Sequence, residues 1–151
     1  MKVGFTCSTF DLFHAGHVMM LQEARTQCDY LIVGLQTDPT IDRAEKNKPV
    51  QTLLERFIQV KACRYVDEIV PYSTEKELMD ILTSFPIDVR IVGEEYRDKQ
   101  FTGCNLPIGV YFNSRQHSFS TTELRQRVLQ ANNRTTKTWN QVQIYYESSY
   151  Y

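Results

Sequence analysis

Two histidines at the junction between a predicted strand and a predicted helix are the residues best suited to chemistry. Residues 5–18 read F-T-C-S-T-F-D-L-F-H-A-G-H-V, which places His14 and His17 three positions apart. On a helix the two imidazoles would share one face. The first amides of a helix lack intrahelical partners and lie at the positive end of its dipole, so they favour anions. Gly16 would let a phosphate approach the backbone. The segment is therefore a candidate phosphate site.

The same pair has two other interpretations. It could bind a metal ion, or one histidine could be an ordinary residue at a helix N-terminus. A metal site usually needs a third protein ligand, and the only other histidine is His117. Asp11 is the one carboxylate close to the pair, and we expect it to cap the loop. The strand-to-helix setting favours phosphate, and no metal site built by the protein itself is predicted.

Length and composition predict one cytoplasmic, soluble domain. The 151 residues carry 17 Lys and Arg against 18 Asp and Glu, a balance that favours neither nucleic acid nor an anionic membrane as partner. The four scattered cysteines form no Cys-x-x-Cys pair and are expected to be reduced thiols. No apolar run approaches the ~20 residues of a membrane span, and the N-terminus lacks the pattern of a signal peptide. We expect no membrane insertion.

Strands and helices are predicted to alternate along the chain. Apolar strands are predicted at 2–6, 30–35, 66–70, 89–92 and 109–112, the third stopped by Pro71. Helices are predicted at 15–28 and 53–63, from a cap at Ser73 or Thr74 to Phe85, and from Ser120 or Thr121 to about Ala131. The alternation predicts an α/β fold with a single Rossmann-like, doubly wound sheet of about five parallel strands flanked by helices. Ligands of such sheets bind beyond the carboxyl ends of the strands.

Three separated blocks carry a resemblance to a known family. Residues 8–18 read S-T-F-D-L-F-H-A-G-H-V, residues 64–70 read R-Y-V-D-E-I-V, and residues 115–122 read R-Q-H-S-F-S-T-T. They resemble, in the same order, the G-T-F-D-x-x-H-x-G-H, R-Y-V-D-E-V and R-T-x-G-I-S-T-T segments of the cytidylyltransferase-like nucleotidyltransferases of the HxGH type. Within that family the likeness is greatest to small bacterial glycerol-3-phosphate cytidylyltransferases.

The resemblance implies an enzyme that transfers CMP from CTP to a phosphorylated alcohol, glycerol 3-phosphate first among them, and releases pyrophosphate. The attacking phosphate oxygen is already ionised, so no base is required. We therefore interpret His14 and His17 as hydrogen-bond donors to the triphosphate. Mg²⁺ would bridge the phosphates without a dedicated acidic cage. Relatives are usually dimers, so a homodimer is expected.

The resemblance also assigns binding roles to individual residues. Thr9 and Phe10 match the nucleotide-contacting turn. Lys46 and Lys48 match a pair that contacts the acceptor phosphate and the nucleotide, although exposed lysines in a polar loop are more often simply solvated. Lys76 lies near a lysine expected in relatives specific for glycerol phosphate.

A second anion site is predicted in the third block. Arg115 offers a planar fork for bidentate phosphate recognition. The nucleotide-binding set is completed by the hydroxyls and amides of a helix start at Ser120, Thr121 and Thr122. The predicted catalytic residues are His14, His17, Lys46 and Arg115.

Some residues in and near these blocks have structural or open interpretations. Asp67 and Glu68 are predicted to cap or pair, and the family role of Arg64 is interpreted as structural. Glu94 and Glu95, which follow the fourth strand, fit either a substrate pocket or an exposed loop.

Departures from the family pattern keep other functions open. Ser8 and Ser118 stand where the family has glycine. The alternatives are an adenylyltransferase that uses ATP and a nucleotide-binding protein with weak or no turnover. The nucleotidyltransferase domain is predicted at 1–131. The aromatic tail at 132–151 is predicted to be an oligomer contact or partly disordered.

Overall fold

Five strands form one parallel sheet in the computed structural model, which describes residues 1–115 and 117–133. The strands are β1 Val3–Ser8, β2 Tyr30–Gln36, β3 Glu68–Tyr72, β4 Val89–Gly93 and β5 Gly109–Asn113. The helices are α1 Ala15–Arg25, α2 Leu53–Lys61, α3 Glu75–Ser84 and α4 Thr121–Asn132, with a short 3₁₀ turn at Glu94–Tyr96. The chain divides into two units, the first at Met1–Ser118 and the second, which contains α4, beginning at Phe119.

The strand order is β3-β2-β1-β4-β5, with every neighbouring pair parallel. The chain moves outward from β1 in one direction through β2 and β3, and β4 then returns to the other side of β1. This reversal creates a switch point between β1 and β4, where sheets of this kind bind ligands. The predicted fold class is confirmed.

Apolar side chains cover both faces of the sheet because successive residues of a strand point to opposite faces. On β2, Leu31 and Val33 join the cluster that contains Leu21 of α1 and Val60 of α2. Ile32 joins the second cluster, formed with residues of β1 and α3 that include Phe5, Leu78 and Leu82. Burial on both faces explains why β2 is a continuous apolar run.

The prediction that Pro71 stops the third strand is wrong. β3 runs from Glu68 to Tyr72, and Pro71 pairs in register with Leu35 of β2. Proline is tolerated there because β3 is an edge strand, where a missing N–H on the open side costs no hydrogen bond of the ladder.

Reciprocal capping fixes the starts of α2 and α3. Thr52 accepts a hydrogen bond from the amide of Glu55, whose carboxylate accepts one from the amide of Thr52. Thr74 and Glu77 repeat the arrangement, which settles the predicted choice of cap in favour of Thr74. Both are S/T-x-x-E capping boxes, a pattern that can be read directly from sequence.

Three further expectations concern the cysteines, a membrane span and the C-terminal tail. The four cysteines are all free thiols. No helix within the described ranges is both long and apolar enough to cross a membrane. Residues 134–151 of the predicted tail lie outside the described residues, so the tail's role as an oligomer contact stays a prediction.

Candidate active site

The loop between β1 and α1 has an unusual backbone that its neighbours hold in place. Phe10 and Leu12 both have φ of 51°, in the left-handed region that non-glycine residues seldom adopt. The two carboxylate oxygens of Asp11 accept hydrogen bonds from the amides of Val50 and Gln51, each at 2.9 Å. The side chain of Gln51 accepts one from the amide of Leu12 at 2.9 Å. Asp11 therefore fixes the loop, as predicted, and strain of this kind is often kept at functional sites.

A buried arginine holds the same loop from α2. Arg56 is 2 % exposed, and its guanidinium donates to the carbonyl oxygens of Thr9 at 2.9 Å, Gln36 and Thr37 at 2.6 Å, and Gln51 at 3.2 Å. It thus joins the carboxyl ends of β1 and β2 to the start of α2. We class Arg56 as a positioning residue, because its hydrogen bonds go to backbone beneath the candidate site.

Sequence reasoning missed Arg56. Its only sequence signal is that it lies four positions before Val60, a buried residue of α2, so the two share one helix face. Leu54 and Ile58, which look like core residues in the sequence, are 68 % and 58 % exposed.

His14 and His17 cap α1 through a reciprocal pair of hydrogen bonds. Nδ1 of His14 accepts from the amide of Gly16 at 3.0 Å, and Nδ1 of His17 accepts from the amide of His14 at 3.1 Å. An imidazole nitrogen that accepts must be unprotonated, so in each neutral ring the proton is on Nε2. The capping geometry therefore assigns Nε2–H as the donor of both rings, whose centroids are 4.0 Å apart.

Burial keeps these histidines uncharged near neutral pH. It lowers the pKa of His17 to about 4, an effect that the nearby His14 strengthens and Asp11 opposes. Burial and the charge of His117 lower the pKa of His14 as well. The His17 ring also stacks on Phe13 at a centroid separation of 5.4 Å. The site thus offers neutral hydrogen-bond donors, consistent with the interpretation of both histidines as donors.

Because Gly16 has no side chain, two imidazole rings can lie close to it. A Cβ at this position would lie 2.8 Å from Cε1 of His14 and 3.1 Å from Cε1 of His117. Its N–H is already engaged with His14. The glycine thus lets the histidine side chains converge, and the approach of a phosphate to its backbone stays a prediction.

Gly16→Ala separates helix stability from site geometry. Alanine should favour the helix by about 0.5–1 kcal/mol, but its Cβ would push His14 and His117 apart. The gain in helix preference and the loss of the His14 cap oppose each other, so we expect a small change in melting temperature. Turnover should be at least about tenfold lower, with the two measured by calorimetry and by pyrophosphate release. Ala15→Ser, at the exposed neighbouring position, is the control. Full activity in Gly16→Ala would contradict the convergence of these rings.

Arg115 lies in the segment that follows β5, and a carboxylate from the loop after β4 holds it. Its Nη2 donates to Oε1 of Glu95 at 2.6 Å, and its side chain is 69 % exposed. Glu94 pairs instead with Arg97 at 2.7 Å. An ion pair therefore joins the loop after β4 to the segment after β5.

Other predicted site residues do not join this cluster. Lys46 and Lys48 are exposed on the loop between β2 and α2. Lys76 lies on α3, 85 % exposed, and pairs with Asp80 at 3.2 Å. Their substrate-binding roles stay predictions.

The helix start at Ser120, Thr121 and Thr122, predicted as an anion site, lies in the second unit. Ser120 caps α4, and its hydroxyl accepts from the amide of Glu123 at 3.1 Å. Thr121 and Thr122 form the first turn of that helix. The predicted N-cap is thus present, and the nucleotide-binding role of these three residues stays a prediction.

The acidic residues of the second sequence block have structural partners, as expected. Asp67 pairs with Arg25 and accepts from the amide of Leu31 at 2.8 Å. Glu68 accepts from the hydroxyl of Tyr30 at 3.0 Å. These contacts join α1 and β2 to the start of β3.

The described side chains provide no cage for a metal ion. Within residues 1–115 and 117–133, no three His, Cys, Asp or Glu side chains are grouped so that they could hold one. Both oxygens of Asp11 already accept backbone amides. The residues therefore do not fit a protein-bound ion, and any Mg²⁺ would depend on substrate phosphates for its ligands.

The sheet order and the switch point define a doubly wound α/β protein, a class whose ligands bind beyond the carboxyl ends of the strands. The chain belongs to the cytidylyltransferase-like family, whose model matches residues 5–127. The predicted family is thereby confirmed.

The chain is similar to three individual relatives over part of their length. An ethanolamine-phosphate cytidylyltransferase of Arabidopsis thaliana is 33% identical over 115 residues, 72% of this chain and 27% of that protein. A probable ethanolamine-phosphate cytidylyltransferase of Encephalitozoon cuniculi is 49% identical over 80 residues, 52% of this chain and 25% of that protein. The bifunctional protein HldE of Gluconacetobacter diazotrophicus is 37% identical over 107 residues, 70% of this chain and 22% of that protein. The chain thus spans about a quarter of these curated relatives.

A solved structure supports the fold. The lipopolysaccharide core biosynthesis protein of Thermoplasma volcanium superposes with a TM-score of 0.63 at 21% identity, covering 76% of this chain and 97% of that one.

Proposed function

We propose that this chain is a nucleotidyltransferase that transfers CMP from CTP to a small phosphorylated alcohol and releases pyrophosphate. The proposal rests on the capping geometry of α1. Nδ1 of His14 and Nδ1 of His17 both accept hydrogen bonds there, so each neutral ring has its Nε2–H as a donor at the end of the loop after β1. The family match gives that geometry its context.

The reaction needs donors rather than a base. A phosphate monoester has its second pKa near 6, so an acceptor oxygen is ionised at neutral pH. It attacks the α-phosphorus, a new P–O bond forms, and the bond to the β-phosphate oxygen breaks. Negative charge shifts onto the non-bridging and leaving oxygens, where Nε2–H of His14 and His17 and the fork of Arg115 would donate. The products are a CDP-linked alcohol and pyrophosphate.

Two acceptors have specific support. The resemblance of the three sequence blocks favours glycerol 3-phosphate, which would give CDP-glycerol. The names of two curated relatives favour ethanolamine phosphate. Both are small phosphate monoesters, so the proposed mechanism is the same for each.

A matrix of nucleotides and acceptors tests the proposal. CTP, ATP, GTP and UTP are each combined with glycerol 3-phosphate, ethanolamine phosphate, a sugar phosphate or no acceptor, and pyrophosphate release is measured with and without Mg²⁺. We expect release only with CTP, an alcohol phosphate and Mg²⁺. Release with ATP but not CTP would replace the proposal with an adenylyltransferase. Tight CTP binding without turnover on any acceptor would favour a binding protein. Sedimentation of the same sample tests the proposed homodimer.

Lys46→Ala tests the proposed acceptor contact. Lys46 is exposed on the loop between β2 and α2, where a cation can meet a phosphate without a desolvation penalty. Steady-state kinetics should show the acceptor KM rising about fivefold or more, with a smaller change in the KM for CTP. Lys61→Ala, which removes an exposed lysine from α2, should change neither KM. The reverse pattern would reassign Lys46 to the nucleotide.

A further inference from the structure

A third histidine lies beside the pair at the start of α1. Cε1 of His117 is 3.1 Å from the position that a Cβ on Gly16 would occupy, and Cε1 of His14 is 2.8 Å from the same point. Cε1 is bonded to both nitrogens of an imidazole, so the polar atoms of both rings are close to this helical glycine. We propose that His117 is a further phosphate-binding residue of the nucleotide site, donating to the triphosphate together with His14 and His17; this inference rests on the proposed function.

Hydrogen bonds to α1 hold the last residue of β5 and the residue after it, which precede His117 along the chain. The side chain of Asn113, 3 % exposed, donates to the carbonyl oxygen of Met20 at 3.1 Å. The carboxylate of Glu23 accepts from the amide of Ser114 at 2.9 Å and from its hydroxyl at 3.0 Å. The chain leaving β5 is thus tied to the middle of α1, three residues before His117. His14 caps the same helix, so α1 contacts both His14 and the residues that precede His117.

The third imidazole would add a hydrogen-bond donor to the two that His14 and His17 provide. His14 and His17 have lowered pKa values and act as neutral donors, and the charge of His117 is one cause of the lowering at His14. An imidazole donates through a ring N–H, and a hydrogen bond to an ionised phosphate oxygen is stronger than one between two neutral groups. His117 would therefore add a third such donor beside the other two.

The family pattern does not explain this residue. In the block at 115–122, His117 stands at the x of the R-T-x-G-I-S-T-T segment. The quoted family segment therefore assigns no role to this position, and the inference rests on the geometry around Gly16.

Steady-state kinetics and direct binding of His117→Ala and His117→Gln test the inference. We expect His117→Ala to raise the KM for CTP and the Kd for pyrophosphate by about tenfold to a hundredfold, the range for losing one hydrogen bond to a charged group. The acceptor KM and the melting temperature should change little. Glutamine retains a donor and should recover part of the loss. Ser118→Ala, at an exposed position next along the chain, is the control.

Four other outcomes are informative. Wild-type affinity for CTP and pyrophosphate in both variants would overturn the inference, as would equal changes in both KM values accompanied by a lower melting temperature. If the wild-type protein binds neither CTP nor pyrophosphate, the proposed function itself fails. NMR titration gives a readout independent of activity: removing His117 should raise the pKa of His14, and an unchanged His14 titration would contradict the contact.

Discussion

His17→Ala should lower turnover by about 10²–10³-fold while leaving the fold intact. Removing one donor from a site that stabilises transition-state charge typically costs ~2.7–4 kcal/mol in the barrier. His17 is such a donor in our interpretation, because its Nδ1 accepts from the amide of His14 and its proton is therefore on Nε2. The measurement is kcat for pyrophosphate release, with circular dichroism to confirm folding.

Two conservative variants divide the roles of the two ring nitrogens. The amide of glutamine at position 17 reaches approximately where Nε2 lies, so His17→Gln should recover part of the turnover. Asparagine reaches only the position of Nδ1, so His17→Asn should keep the cap on α1 but remain about as slow as alanine. If asparagine recovered turnover and glutamine did not, capping rather than donation would be the contribution of His17. Turnover near the wild-type level in His17→Ala would remove it from the reaction.

Arg56→Leu should destabilise the protein by about 3 kcal/mol or more. The guanidinium satisfies carbonyl oxygens of Thr9, Gln36, Thr37 and Gln51, and an apolar side chain of similar length would leave them buried without donors. Each buried acceptor without a partner costs about 1–3 kcal/mol, although such costs do not add fully. For a chain of this size the melting temperature should fall by about 6–12 °C, measured by calorimetry.

The same variant should also slow the reaction. Arg56 fixes the carbonyl of Thr9, next to the left-handed residue Phe10, so its loss should loosen the loop that leads to His14. Arg56→Lys keeps the charge but lacks the planar fork, and we expect an intermediate loss of stability. Lys61→Ala on the same helix should shift stability by no more than about 0.5 kcal/mol. A melting temperature within one or two degrees of wild type in Arg56→Leu would contradict the positioning role.

The alternation of elements and the capping signals were predictable because they are local. Apolar runs identified β2 and β4, and the hydroxyl residues Ser73 and Thr74 identified the start of α3. The end of β3, wrongly predicted at Pro71, depended on whether the strand lies at an edge. That is a property of the sheet order, which no short segment of sequence contains.

By itself, then, the sequence of this protein determined the fold class, the family and the histidine pair at the first helix, because each is carried by short segments that can be recognised without knowing how they pack. Only the tertiary structure placed Arg56 under the first loop, tied Ser114 to Glu23, and set His117 beside His14. It also assigned the protons of His14 and His17, since a tautomer follows from which nitrogen accepts a hydrogen bond. Most of these contacts join segments tens of residues apart. Their geometry exists only after the sheet has brought the ends of its strands to one edge.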